Sequence, residues 1–149
     1  IRGHGAVLQI MGSKGMLIIM AAALIMDLLI CNVAVKNLVA RTRPYDVNTS
    51  VQLLVAKLHD YSFPSGHTAA SFASVTALYL AGEKKLWKPA LVLACLIAVS
   101  RLYLYVHYPT DVLGGMIFGI LAGFAGYWIV KLLETKLSGR KNAGNQIRR

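Results

Sequence analysis

Residues 16–35 form a run of 20 in which only Asp27 and Asn32 are strongly polar. As a helix at about 1.5 Å per residue this run covers roughly 30 Å, the thickness of a bilayer's hydrocarbon core. The composition agrees, since 56% of residues are hydrophobic and only 15% are charged. Residues 112–133 make a second strong run, with Lys131 set to snorkel near its end. Two weaker runs, 65–82 and 86–106, lie between them, and polar residues at their ends lower their hydropathy. The expected fold is all-α: a transmembrane helical bundle of four spans, forming one domain over residues 1–149.

A net charge of +10 could indicate nucleic acid, but its distribution argues against such a partner. Lys84, Lys85 and Lys88 crowd one short loop, Lys136, Arg140, Lys141, Arg148 and Arg149 crowd the C-terminal end, and Arg2 and Lys14 precede the first span. With four spans these segments share one side, which the positive-inside rule makes cytoplasmic. A multi-pass protein of the cell membrane follows, with both chain ends inside and loops 36–64 and 100–111 outside. Cys31 and Cys95 fall within spans and read as small buried apolar residues rather than a disulfide. Residues 138–149 read as a flexible basic cytoplasmic tail.

Within the outer segment, Thr49-Ser50-Val51-Gln52 has the form of a capping box. Val51, Leu54, Val55 and Leu58 follow at helical spacing, which predicts a short amphipathic helix at the outer interface. Gly115, Gly119 and Gly123, spaced by four, form a small-residue ridge suited to close helix packing. Asp27 reads equally as a functional intramembrane acid or a polar contact between helices, whereas His4 and His59 fit no pattern.

Three polar stretches interrupt the apolar chain: Lys36-x6-Arg43-Pro44, Pro64-Ser65-Gly66-His67 and Ser100-Arg101-x5-His107-x3-Asp111. Both of the loops expected outside carry them. Lys36, Arg43 and Arg101 are cations able to clamp phosphate oxygens, the arginines in bidentate fashion. Ser65 and Gly66 stand where the second span should begin, so their N–H groups and the helix dipole would face an anion. His107 and Asp111 are spaced i, i+4 and share a face if their segment is helical, with Pro109 tolerated at a helix start. Asp111 would then hold one ring nitrogen of His107 and leave the other free to attack phosphorus. His67 remains to protonate the departing oxygen and to activate water. Of the six carboxylates only Asp46, Asp60 and Asp111 lie near the outer loops, so no metal or other cofactor is expected.

In order and internal spacing these motifs resemble the signature of the type 2 phosphatidic acid phosphatases, the lipid phosphate phosphatases. The resemblance covers residues 36–111. It implies a helical membrane enzyme that dephosphorylates lipid phosphates without metal through a phosphohistidine. His107 is then the nucleophile, Asp111 its orienting partner and His67 the general acid, with Lys36, Arg43, Ser65, Gly66 and Arg101 as phosphate ligands. Integral members carry six helices with the motifs on the last four, so two N-terminal helices are expected beyond this chain. The implied partners are a lipid phosphate (phosphatidic acid, phosphatidylglycerophosphate or undecaprenyl diphosphate) and membrane lipids, with oligomeric state undetermined. A vanadate-dependent haloperoxidase shares such a pocket but is typically soluble. A phospholipid-binding or transport protein would need cations but no nucleophile.

Overall fold

Glycines fix how closely two of the motif-bearing helices approach, and that approach builds the fold. The computed structural model describes residues 6–147, with side chains for 14–137, and is helical without strands among them. Helix α1 (Ala6–Asp27) runs into a π-helical stretch (Leu28–Val35) and a short α2 (Lys36–Val39). A one-turn α3 (Pro44–Val47) follows, then α4 (Gly66–Leu80), α5 (Trp87–Tyr103) and α6 (Pro109–Ile147). Helix α4 lies at the centre, packed against α6, α5 and α1, and α1 also packs along α6.

A Cβ added at Gly119 would lie 2.3 Å from the carbonyl oxygen of Ala69, and one at Gly115 2.6 Å from that of Ser65. At Gly123 it would meet Thr76 Cβ at 2.5 Å. The ridge read from the sequence is therefore the α4–α6 seam. Gly126 extends it to α1, where a Cβ would stand 2.4 Å from the backbone nitrogen of Ala23. Small residues complete the contact: Ala73 and Ala77 of α4 and Ala122 of α6 are buried with Ile19, Ala23 and Val130. Phe72, Val75, Ala94, Ala98 and Val112 form a second cluster where α5 joins.

Large apolar side chains point outward instead, among them Leu17, Ile25, Leu93, Leu96, Ile117 and Leu121. Small residues inside and large aliphatics outside is the packing expected where lipid is the solvent. Two helical stretches, Lys14–Val47 and Pro109–Leu137, are long and apolar enough to cross a membrane. The expected count of four is not reproduced by length: α4 has 15 residues and α5 has 17. At 1.5 Å per residue these cover about 22 and 26 Å, short of the roughly 30 Å core.

The amphipathic helix expected after Thr49 does not form, because residues 48–65 are turns, bends and irregular backbone. Asn48 Oδ1 accepts hydrogen bonds from the Ser50 N–H (3.3 Å) and hydroxyl (2.6 Å), a local turn that competes with a helix start. Tyr45 then pins the segment: its hydroxyl donates to the Leu58 carbonyl at 2.8 Å and accepts from the Leu58 N–H at 3.0 Å. Helix α6 continues over 138–147, the stretch read as a loose tail. Cys31 is buried as expected, but Cys95 is exposed on α5, and both are free. Arg2, His4, Arg140, Lys141, Arg148 and Arg149 lie outside the described side chains.

Candidate active site

Lys36 stands in α2, one turn before the chain reverses at Ala40, whose φ of 47° is left-handed. That reversal carries Arg41 and Arg43 back over the helix ends. A second left-handed residue, Tyr105 with φ 57°, turns the chain between α5 and α6 and directs His107 inward. Non-glycine residues rarely adopt this conformation, and here two instances flank the same site.

The expected helical i, i+4 face is not how His107 meets Asp111, because α6 begins at Pro109 and His107 precedes it. Asp111 instead reaches back from the first helical turn to accept the Tyr108 backbone N–H at 2.9 Å. This is the reciprocal bond of a capping box, with Pro at the first helical position. Asp111 Oδ2 then lies 3.6 Å from His107 Nδ1, an ion-pair separation rather than a short hydrogen bond. The fully buried carboxylate also accepts from the Ser62 hydroxyl and, at 2.8 Å, from Arg41 Nη1. Arg41 itself stacks on the Tyr108 ring, 4.0 Å from its centroid.

The other imidazole nitrogen, His107 Nε2, lies 3.4 Å from Arg43 Nη1. Nδ1 faces Ser62 Oγ at 3.5 Å as well as Asp111, so Nε2 is the nitrogen on the cationic side. Arg43 is 2% exposed and spends its donors on the Val106 carbonyl (2.9 Å), the Asp60 carbonyl (2.9 Å) and Asp60 Oδ1 (2.6 Å). Lys36 Nζ donates to the other oxygen, Asp60 Oδ2.

These groups open onto a cavity of about 330 Å³ lined by Lys36, Arg43, Asp60, Gly66, His67 and His107, with Asn32 at its wall. The first-turn N–H groups of α4 have no intrahelical acceptor, and no side chain caps them. His67 sits in that turn, exposed, with no side-chain hydrogen bond among the described residues. The motifs thus bring Lys36, Arg43, Gly66, His67 and His107 to one cavity, with Asp111 behind His107.

Two expected phosphate ligands stand differently. The Ser65 N–H is committed to the Asp111 carbonyl at 3.0 Å, and its buried hydroxyl accepts from Thr68 at 3.0 Å. Ser65 therefore joins α4 to α6 rather than facing the cavity. Arg101 does not line the cavity, and its guanidinium donates to Ser100 Oγ at 3.1 and 3.2 Å. Asp27 is buried and also lies outside the lining, whereas Asn32 reaches it.

Sequence reasoning missed Arg41, Ser62 and the pairing role of Asp60. Burial pushes the Asp60 carboxyl up, and hydrogen bonds and charge from Lys36 and Arg43 outweigh this, holding it at about 2. A second cavity of about 310 Å³ shares Arg43 and Asp60 and adds Arg41, Lys57 and His59, giving His59 a place beside the site. No group of three His, Cys, Asp or Glu able to hold a metal occurs among the described residues.

The bundle and its cationic cavity define a helical membrane protein with two histidines converging on one polar site. The family model of the PAP2 superfamily matches residues 16–134, and the chain belongs to that superfamily. It is 35% identical over 89 residues to an undecaprenyl-diphosphatase of Sulfolobus acidocaldarius, covering 60% of this chain and 43% of that protein. It is 32% identical over 106 residues to the undecaprenyl-diphosphatase BcrC of Bacillus subtilis, covering 71% of this chain and 54% of that protein. The crystal structure of a transmembrane PAP2-type phosphatidylglycerolphosphate phosphatase from Bacillus subtilis superposes with a TM-score of 0.59 at 32% identity. That match covers 89% of this chain and 65% of the other. The chain thus spans about half the length of the two diphosphatases.

Proposed function

We propose that the chain forms the catalytic part of an integral membrane phosphatase that hydrolyses the phosphomonoester or diphosphate of a lipid. The observation that carries this reading is the convergence of Lys36, Arg43, Gly66, His67 and His107 on one cavity. Binding an anion calls for cations and N–H donors, and two histidines beside them add the means to break a bond. Substrates of the kinds named in the relatives, undecaprenyl diphosphate and phosphatidylglycerophosphate, suit such a site.

In the proposed reaction His107 Nε2 attacks phosphorus while Nδ1–H is held toward Asp111. A nitrogen–phosphorus bond forms as the bond to the leaving oxygen breaks, the lipid's own oxygen in a monoester and the bridging oxygen in a diphosphate, and His67 protonates that oxygen. His67 then takes a proton from water, whose oxygen attacks phosphorus, breaks the bond to His107 and releases phosphate. Lys36, Arg43 and the open N–H groups of α4 neutralise the oxygens throughout. Arg101 acts from outside the cavity wall through its charge.

None of these steps routes through a metal, and this gives the first test. With a panel of lipid monoesters and diphosphates, turnover should persist in excess EDTA. It should be inhibited by vanadate, which adopts the five-coordinate shape of the transition state. Activity lost in EDTA and restored by Mg²⁺ would withdraw these role assignments.

The proposed topology has four spans, with α4 and α5 crossing beside the two longer helices, and the site outside. Exposed Val92, Leu93, Leu96 and Val99 on α5 support this, since together they would face lipid. So does the clustering of Lys84, Lys85 and Lys88 at the α4–α5 turn. Single cysteines at Asn48 and Lys85, in a chain lacking Cys31 and Cys95, should react differently with an impermeant maleimide on intact cells. Labelling at 48 and none at 85 is expected. Labelling at both would mean that α4 does not cross, and the reverse pattern would put the site in the cytoplasm.

A further inference from the structure

The cations of the cavity already hold an anion from their own chain. Asp60 spreads its two oxygens across Lys36 Nζ and Arg43 Nη2, the same two-point grip that two phosphate oxygens would take. The segment before it is irregular, with Leu54 and Val55 exposed, whereas the backbone at Asp60 is held: its carbonyl accepts from Arg43 Nε at 2.9 Å, and the Ser62 N–H donates to the Arg41 carbonyl at 2.8 Å. Tyr45 fixes that segment at Leu58, two residues before Asp60, leaving the carboxylate on a short tether. The Asp60 side chain is 50% exposed, whereas those of Lys36 and Arg43 are 8% and 2% exposed. The clamp is nearly buried, whereas the carboxylate now filling it faces solvent on one side, so an incoming anion can reach it. Beside the clamp lies the second cavity, lined by Arg41, Lys57 and His59, with Lys57 also 3.9 Å from Asp46, into which a displaced carboxylate can turn.

We propose that Asp60 is a specificity-determining plug: it occupies the phosphate position of the resting site and yields only to an anion of higher charge. The proposal rests on the reading of this cavity as a phosphate site. Binding is then an exchange of anions at Lys36 and Arg43. A phosphodiester headgroup carries one negative charge, as the carboxylate does, and gains nothing by the exchange. A phosphomonoester or diphosphate carries more and gains an added attraction to two nearly buried cations, where screening is weak. A membrane enzyme surrounded by phosphodiester lipids would thereby reject the bulk of its solvent without a shaped headgroup pocket.

The purified protein, Asp60→Asn and Asp60→Ala provide the test, with inorganic phosphate as inhibitor and phosphatidylglycerol in mixed micelles as competing diester. Removing the internal competitor should lower the phosphate Ki and the KM by about tenfold, because the binding-competent fraction rises. Turnover should not rise, and phosphatidylglycerol should inhibit the variants while leaving the unsubstituted protein unaffected. A folded variant with unchanged or weaker phosphate binding, beside an active unsubstituted protein, would make Asp60 an organiser of the two cations and overturn the plug. An unsubstituted protein that neither hydrolyses lipid phosphates nor binds phosphate would overturn the phosphatase reading and the plug with it.

Discussion

Replacing His107 by alanine is expected to lower turnover by about 10⁴-fold or more while leaving the fold and phosphate binding in place. Two observations set this expectation. The ring's polar contacts, to Arg43, Ser62 and Asp111, are long at 3.4 to 3.6 Å, so its loss breaks no short hydrogen bond, and the ring borders the cavity rather than closed core. Its neighbours keep stronger partners: Asp111 retains Arg41, Ser62 and the Tyr108 N–H, and Arg43 retains the Val106 carbonyl and Asp60. Asp111→Asn should behave differently. An amide would lose the charge facing Arg41 and Nδ1–H together, so both rate and thermal stability should fall. Rate measurements paired with melting curves separate the two variants. Turnover near that of the unsubstituted protein in a folded His107→Ala variant would remove the nucleophile from the mechanism.

Which parts of the site were legible follows from what a one-dimensional pattern can encode. The fixed spacings of the three motifs identified Lys36, Arg43, Gly66, His67 and His107, which meet at one cavity in the structure. The glycine ridge was legible because spacing of four on a helix marks one face. Asp60 and Ser62 were not, because they reach the site through an irregular segment whose path depends on the Tyr45–Leu58 clasp. Arg41 lies two residues from Arg43 yet pairs with Asp111 on the Nδ1 side of His107, while Arg43 stands at Nε2, a divergence that spacing alone does not encode. The second partner of Ser65 was hidden for a related reason: the α4–α6 seam is so close that its N–H meets the Asp111 carbonyl. The helix after Thr49 failed because Asn48, outside the capping-box pattern, satisfied the local donors first.

That seam supplies the other large effect, a substitution far from any phosphate. Gly119 lies nearly three turns into α6, and an added Cβ would fall 2.3 Å from the Ala69 carbonyl oxygen and 2.9 Å from its Cα. Both obstacles are backbone of α4, so no side chain can swing aside. Gly119→Ala must therefore push α4 away from α6, at a cost of about 1–3 kcal/mol for overpacking. The same movement reaches the proposed chemistry. Ala69 stands two residues from His67, and His107 and Asp111 adjoin the start of α6, so the seam sets the separation of the two histidines. A shift of about 1 Å in such an arrangement can lower rate about 10²-fold. The substitution should thus reduce the melting temperature and kcat together, while phosphate binding by Lys36 and Arg43 changes less. Gly82→Ala is the matched control, because its left-handed φ of 83° strains any side chain but nothing lies within 4 Å. It should lower stability without altering kcat. Equal kcat in Gly119→Ala and the unsubstituted protein would show that α4 and α6 do not jointly hold the reacting groups.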